Sequence, residues 1–374
     1  MLLTDRMTEN STTSFKIVVE AVFLGVTRLN LTLGDERLPP FDIRVLRSNH
    51  DETIKVIFTV SLIIFVIIIS VMMGTQLEVR RIMDIARKPI GPIIGLVCQF
   101  GIMPMIGFLL AEYGLPKDAT SLKMALFAAS TCPGGGKSSF WTIILGGNLD
   151  LSISMTFTQT LAALLMMPLW LSTLGKHFTS VHVRIPFGRI IEGLVGMMIP
   201  SAMGMILAHY RPQYNERFRI WIKRASWVAS IVLLILFIYA NHYMFWLLTW
   251  PMVICGCSLP WLGYITAFIV ALVLGQSFKN SLTIAIETGI QNLGIAMLLM
   301  MWCLPAPESD IAITILFVTS IMTDKPLMII WLVSRIYMRC CKNDTVSDNN
   351  EKDEKSGDKS MVSMTSTISS FPIE

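Results

Sequence analysis

The chain has 374 residues, 53% of them hydrophobic and 15% charged, with a mean hydropathy of +0.62. Soluble globular domains carry about a quarter charged residues, so this composition excludes an ordinary soluble fold. The net charge of +4 is too small and too dispersed for a nucleic-acid partner.

The first residues, Met1 to Asn10, have no apolar core and do not read as a cleaved signal peptide. Residues 1–53 form a polar N-terminal segment with two glycosylation sequons, at Asn10 and Asn30. Nine apolar spans are then predicted, at about 54–74, 89–111, 119–146, 151–174, 188–210, 225–248, 260–277, 281–304 and 311–335. The first, Ile54 to Gly74, is long enough to cross a hydrocarbon core of ~30 Å. The tail 339–374 is polar, has the composition of a disordered cytoplasmic segment, and carries a third sequon at Asn343. Lys and Arg concentrate in alternate loops (Arg80, Arg81, Arg87 and Lys88; Arg211 to Arg224; Lys279; Arg335 to Lys342). That asymmetry places the N-terminus outside and the C-terminus inside a plasma-membrane protein.

The seven cysteines form no zinc-type spacing. Cys98, Cys132 and Cys303 fall in apolar segments and read as small buried hydrophobes. Cys255 and Cys257 are expected in a short loop, 249–259, where oxidation is open to them; Cys340 and Cys341 are palmitoylation candidates.

Most hydroxyls inside a membrane helix only return a hydrogen bond to their own backbone. The informative feature is their clustering at two interruptions. The third span contains Thr131-Cys-Pro-Gly-Gly-Gly-Lys-Ser-Ser139, and the eighth contains Glu287-Thr-Gly-Ile-Gln-Asn292. Proline and repeated glycine do not sustain a helix, and irregular backbone at membrane depth survives only inside protein or along a cavity. Paired interruptions are the usual pointer to a transporter's ion and substrate site. Glu287 lies deep in an apolar span, where an ionised carboxylate costs about 2.5–3.5 kcal/mol on insertion scales. A protonated or lysine-paired Glu would meet that cost; a sodium ion held by carboxylate, amide, hydroxyl and carbonyl oxygens meets it better. Gly136-Lys137-Ser138 ends like a phosphate-binding loop, but Thr131 stands where that pattern needs glycine, and no strand precedes it. Neither an ATPase nor any other enzyme is expected, and no cofactor beyond Na+ as coupling ion.

Six runs, taken together and in order, resemble the bile acid:sodium symporter family, animal-type members. They are Cys98 to Pro104, Cys132-Pro-Gly-Gly135, Gly147 to Thr156, Met166-Met-Pro168, Ile185-Pro186 and Glu287 to Asn292, within a stretch from about 54 to 338. The resemblance implies an all-α integral membrane fold: nine spans of a ten-helix inverted repeat, with two broken, crossing helices and core and panel domains. It implies a first sodium site on Ser138, Ser139, Ser152, Thr156 and Glu287. The second falls on Gln99, Glu287 and Gln291 with backbone oxygens of Thr288 and Ile290. The substrate cleft would adjoin Lys137 and Asn292. Two positions depart from the family pattern: Ser139 replaces an asparagine, and Lys137 replaces a small or neutral residue. Lys137 could attract an anionic substrate, stand in for the first sodium, or snorkel to water. Asp324-Lys325-Pro326 marks a kink or early end in the last span.

The function so implied is sodium-coupled import of an amphipathic organic anion, of the bile-acid or steroid-conjugate class, by alternating access. Its partners are that anion, Na+ and the lipid bilayer. The alternatives are a transport-inactive, receptor-like protein on the same fold and a sodium-independent or proton-coupled exporter.

Overall fold

The computed structural model describes residues 25–33, 36–37, 41–45, 49–75, 89–178, 187–210, 228, 231–232 and 234–337. The sequon at Asn10, the sequon at Asn343, Cys340, Cys341 and the tail lie outside the described residues.

The N-terminal segment corrects the all-α expectation. β1 (Gly25–Leu29) pairs antiparallel with β4 (Phe41–Val45), Gly25 opposite Val45 and Leu29 opposite Phe41. β2 (Thr32–Leu33) pairs with β3 (Glu36–Arg37) between them. Phe41, Ile43 and Val45 alternate with charged residues, which is the two-residue period of a strand and not the helical one. Asn30 sits exposed between β1 and β2.

Ten helices follow. They are α1 (Asn49–Thr75), α2 (Ile90–Gly114), α3 (Thr120–Ser130), α4 (Ser138–Ile144) and α5 (Leu149–Thr173). The rest are α6 (Phe187–Tyr210), α7 (Trp250–Val273), α8 (Phe278–Gly289), α9 (Leu293–Cys303) and α10 (Glu308–Thr323). By length and composition, the stretches Ile90–Gly114, Leu149–Thr173, Trp250–Val273 and Glu308–Tyr337 can each cross a membrane. The distribution of polarity agrees. Leu165 and Val273 are 73% and 79% exposed, whereas Gln99, Gln159 and Glu287 are each 0% exposed. A soluble protein would reverse that; a bilayer favours apolar side chains outside and confines polar ones to the bundle interior.

α7 begins at Trp250, ahead of the expected 260, so the predicted loop 249–259 is helix. Pro251 stands in the first turn, where a missing N–H costs nothing, and Pro260 is accommodated inside the helix. Cys255 and Cys257 therefore lie on a helix as free thiols, Cys255 Sγ 3.7 Å from the Leu110 carbonyl. α1 packs closely on α6 through glycines. A Cβ added at Gly74 would stand 1.9 Å from the Ser201 carbonyl oxygen, and one at Gly204 would stand 2.2 Å from that of Val71. Small residues that let two backbones touch are a recurrent means of helix association in lipid.

The chain divides into two units, Met1–Pro326 and Leu327–Glu374. In the second, residues 327–337 are helical, and the Arg335 guanidinium lies over the Trp331 ring at 5.7 Å. All remaining description concerns the first unit.

Candidate functional site

Both expected interruptions are present, and they meet. α3 ends at Ser130; Pro133 supplies no N–H, and α4 resumes only at Ser138. α8 ends at Gly289, Ile290 is extended, and Asn292 caps α9 by accepting the Ile295 N–H. The two gaps then satisfy each other. Gly135 N–H donates to the Ile290 carbonyl at 2.7 Å, and Asn292 N–H donates to the Pro133 carbonyl at 2.9 Å. The approach leaves no room for a side chain at Gly134. A Cβ there would stand 2.6 Å from Gln159 Oε1 and 2.8 Å from Glu287 Oε1.

α5 carries the next part of the site. Its start is fixed on α8, because Asn148 N–H donates to Thr283 Oγ1 at 2.7 Å while the Asn148 side chain accepts the Leu151 N–H. Ser152, Thr156 and Gln159 then recur at i, i+4 and i+7 on one buried face. Ser152 Oγ donates to Glu287 Oε2 at 2.9 Å, and Thr156 Oγ1 donates to Glu287 Oε1. Ser139 Oγ lies 3.1 Å from Ser152 Oγ. Ser138 Oγ, next to Ser139 in the chain, is buried without a hydrogen-bond partner. The structure thus assembles Ser138, Ser139, Ser152, Thr156 and Glu287 in one place.

Gln99 arrives from α2, within a π-helical turn at Cys98–Ile102. Pro104 follows in the next helical stretch, and the Phe100 carbonyl four residues before it is taken instead by the Trp170 indole N–H at 2.7 Å. Gln99 Nε2 donates to Gln291 Oε1 at 2.8 Å and to the Cys132 carbonyl at 2.6 Å, and Gln291 Nε2 donates to the Thr288 carbonyl at 2.7 Å. The Ile290 carbonyl has one lone pair engaged by Gly135. Gln99 Oε1 and Thr288 Oγ1 are buried with no hydrogen-bond partner. Hydrogen bonds tie the Glu287 carboxylate to the first group of residues, not to this one.

Chemically, this is an oxygen-rich interior around one carboxylate. Among the described residues no Lys, Arg or His forms an ion pair with Glu287. Unpartnered buried oxygens beside an unpaired acid fit a hard cation, which takes oxygen ligands from carboxylate, hydroxyl, amide and carbonyl alike. Lys137 does not fill that role. Its Nζ is directed to Asp324 Oδ2 at 3.0 Å, on an accessible face of the break. Asn292 contributes its backbone to the crossing and its side chain to the α9 cap.

Gln159 and Trp141 were not singled out in the sequence, and Asp324 was read only as part of a kink or early end in the last span. Gln159, 0% exposed, accepts the Gly134 N–H through Oε1 at 3.0 Å and leaves Nε2 without a partner. Its signal was available, since it continues the Ser152 and Thr156 face. Trp141, whose indole N–H donates to Asp324 Oδ1 at 3.0 Å, carried none.

A model of the sodium bile acid symporter family matches residues 62–246. The ileal sodium/bile acid cotransporter of Oryctolagus cuniculus is 34% identical over 251 residues, 66% of this chain and 70% of its own length. The Homo sapiens ileal sodium/bile acid cotransporter is 30% identical over 283 residues, 74% of this chain and 79% of its own length. The sodium-dependent organic anion transporter of Rattus norvegicus is 32% identical over 259 residues, 66% of each chain. The chain belongs to the sodium bile acid symporter family. Membership and the four helices long and apolar enough to cross a membrane make it a multi-pass membrane protein of a transporter family. The family match takes in the first break and the Ser152 to Gln159 face; Glu287 and the second break lie beyond its C-terminal limit.

Proposed function

We propose that this symporter-family chain couples inward Na+ flux to uptake of an amphipathic organic anion of the bile-acid or steroid-conjugate class. The observation that carries the reading is Glu287: a fully buried carboxylate, with no ion-paired base among the described residues, receiving hydroxyls from Ser152 and Thr156 where two helix breaks cross. A cation is the missing counter-charge. Ser138, Ser139, Ser152, Thr156 and Glu287 make the first sodium site. Gln99, Glu287 and Gln291 with the Thr288 and Ile290 carbonyls make the second. The relatives' printed names supply the cargo class and the ion.

In this reading residues 1–53 are extracellular and glycosylated, 54–338 form nine spans of an inverted repeat, and 339–374 are cytoplasmic in the plasma membrane. Transport proceeds by alternating access about the crossing. Each net charge entering is worth about 2.3 kcal/mol per 100 mV, and each tenfold sodium gradient about 1.4 kcal/mol more. The test is uptake of labelled taurocholate and estrone 3-sulfate by cells expressing the full chain, in sodium and in choline. Sodium-dependent uptake supports the reading. Uptake unchanged in choline would indicate a sodium-independent carrier, and no uptake of any anion in a panel would indicate a transport-inactive protein.

A further inference from the structure

The sodium cluster does not use the trio at Lys137, Trp141 and Asp324. Lys137 and Trp141 are one turn apart at the start of α4, and their two N–H groups converge on one carboxylate. Lys137 Nζ meets Asp324 Oδ2 and Trp141 Nε1 meets Asp324 Oδ1, each at 3.0 Å. An ammonium and an indole N–H spaced to grip both oxygens of a carboxylate form a receptor for any planar or tetrahedral oxyanion. From these observations we infer that Lys137 and Trp141 form the seat for the anionic head of the transported molecule, and that Asp324 is a built-in occupant which the head displaces.

Three features make Asp324 displaceable. It caps the C-terminal end of α10, where the helix dipole disfavours a negative charge. The ion pair is accessible, with side-chain exposures of 55% for Lys137 and 28% for Asp324. An accessible, screened pair contributes little, so an incoming oxyanion has little to overcome. The seat also adjoins the cation cluster, because Ser139, two residues along the chain from Lys137, lies with its Oγ 3.1 Å from Ser152 Oγ.

The inference rests on the transport reading for its ligand class, and its test is made without a gradient, so it stands or falls separately from sodium coupling. The purified full-length chain in lipid nanodiscs is titrated with estrone 3-sulfate and with uncharged estrone, following the thermal unfolding midpoint. Wild type is expected to bind the sulfate in preference to estrone. D324N, lacking the competing charge, binds the sulfate roughly two- to fivefold more tightly, the factor by which a screened pair competes. K137Q loses roughly tenfold or more for the sulfate and nothing for estrone, while K137R retains the preference. Wild type unresponsive to the sulfate, K137Q with an undiminished preference for it, or D324N with weakened binding would each overturn the seat.

Discussion

Ser152 on α5 donates to the Glu287 carboxylate on α8 at 2.9 Å, joining residues 135 positions apart. This contact ties the second helix break to the helix that follows the first, and it defines what removal of the charge should do. Glu287→Gln keeps the shape and one oxygen while deleting the counter-charge for a cation. Surface abundance by biotinylation should stay near wild type, since an amide is cheaper than a carboxylate in the bundle. Sodium-driven uptake should fall at least about tenfold, as expected for loss of one anionic ligand. Full sodium-dependent uptake by a well-expressed variant would remove Glu287 from the mechanism.

Gln159→Leu tests whether that amide matters to the site or only to packing. The variant keeps the volume but leaves the Gly134 N–H without its 3.0 Å acceptor. A buried donor stripped of its partner costs about 1–3 kcal/mol. The midpoint of thermal unfolding should fall, and the sodium concentration for half-maximal uptake should rise. Gln159→Glu, which retains an acceptor, should recover part of both.

At Gly134, alanine should be worse than at an ordinary helical glycine. The new methyl would press on Gln159 Oε1, on Glu287 Oε1, and on the Glu287 carbonyl at 3.1 Å. Overpacking of this kind costs about 1–3 kcal/mol, and here one of the displaced atoms, Glu287 Oε1, belongs to the carboxylate shared by both proposed sodium sites. Uptake should drop more than surface expression, a split visible by comparing transport with biotinylation.

Lys55 and Asp310 tie α1 to the first turn of α10 at 2.8 Å, with the Asp310 side chain 0% exposed. Removing only the lysine takes the cation from a buried pair, and breaking such a pair costs about 3–5 kcal/mol. Lys55→Met should therefore unfold at lower temperature than wild type. The Lys55→Met, Asp310→Asn double variant should be less damaged than the single one. Equal damage in both would mean that the pair is not what the lysine supports.

Asn30, exposed between two short strands, and Asn10 should carry glycans if the N-terminus is extracellular. Enzymatic deglycosylation should shift the mobility of wild type and not of the Asn10→Gln, Asn30→Gln double variant. A residual shift that depends on Asn343 would overturn the nine-span topology.

The two breaks were legible because proline and clustered glycine, at Pro133 with the glycines at 134–136 and at Gly289, together with polar residues, disfavour a continuous helix. Glu287 was legible because a carboxylate in an apolar run demands a reason. The helix at 250–273 was not: its two prolines, Gly256 and two cysteines are loop signals in water, yet in lipid the backbone must close its own hydrogen bonds. The strands at 25–45 hid in a polar segment, two of them five residues long and two of them only two. Asp324 was visible as a helix end, but its engagement by Lys137 and Trp141 depends on how α10 lies beside α4, which no local pattern encodes. Gln159 was readable in hindsight from spacing alone, and its meaning came only from Gly134 approaching it.

The mutual hydrogen bonds of the two breaks bear on how the chain is made. Synthesis delivers Pro133 to Gly136 to the membrane long before Ile290 and Asn292 exist. Until they arrive, the Gly135 N–H and the Pro133 carbonyl have no partner of the kind the finished protein gives them. An unmet backbone group in hydrocarbon costs several kcal/mol, so the nascent third span has reason to stay beside water or the insertion machinery until the eighth span is threaded. A chain truncated before α8 should accordingly be retained and degraded even though α1 to α7 are all present.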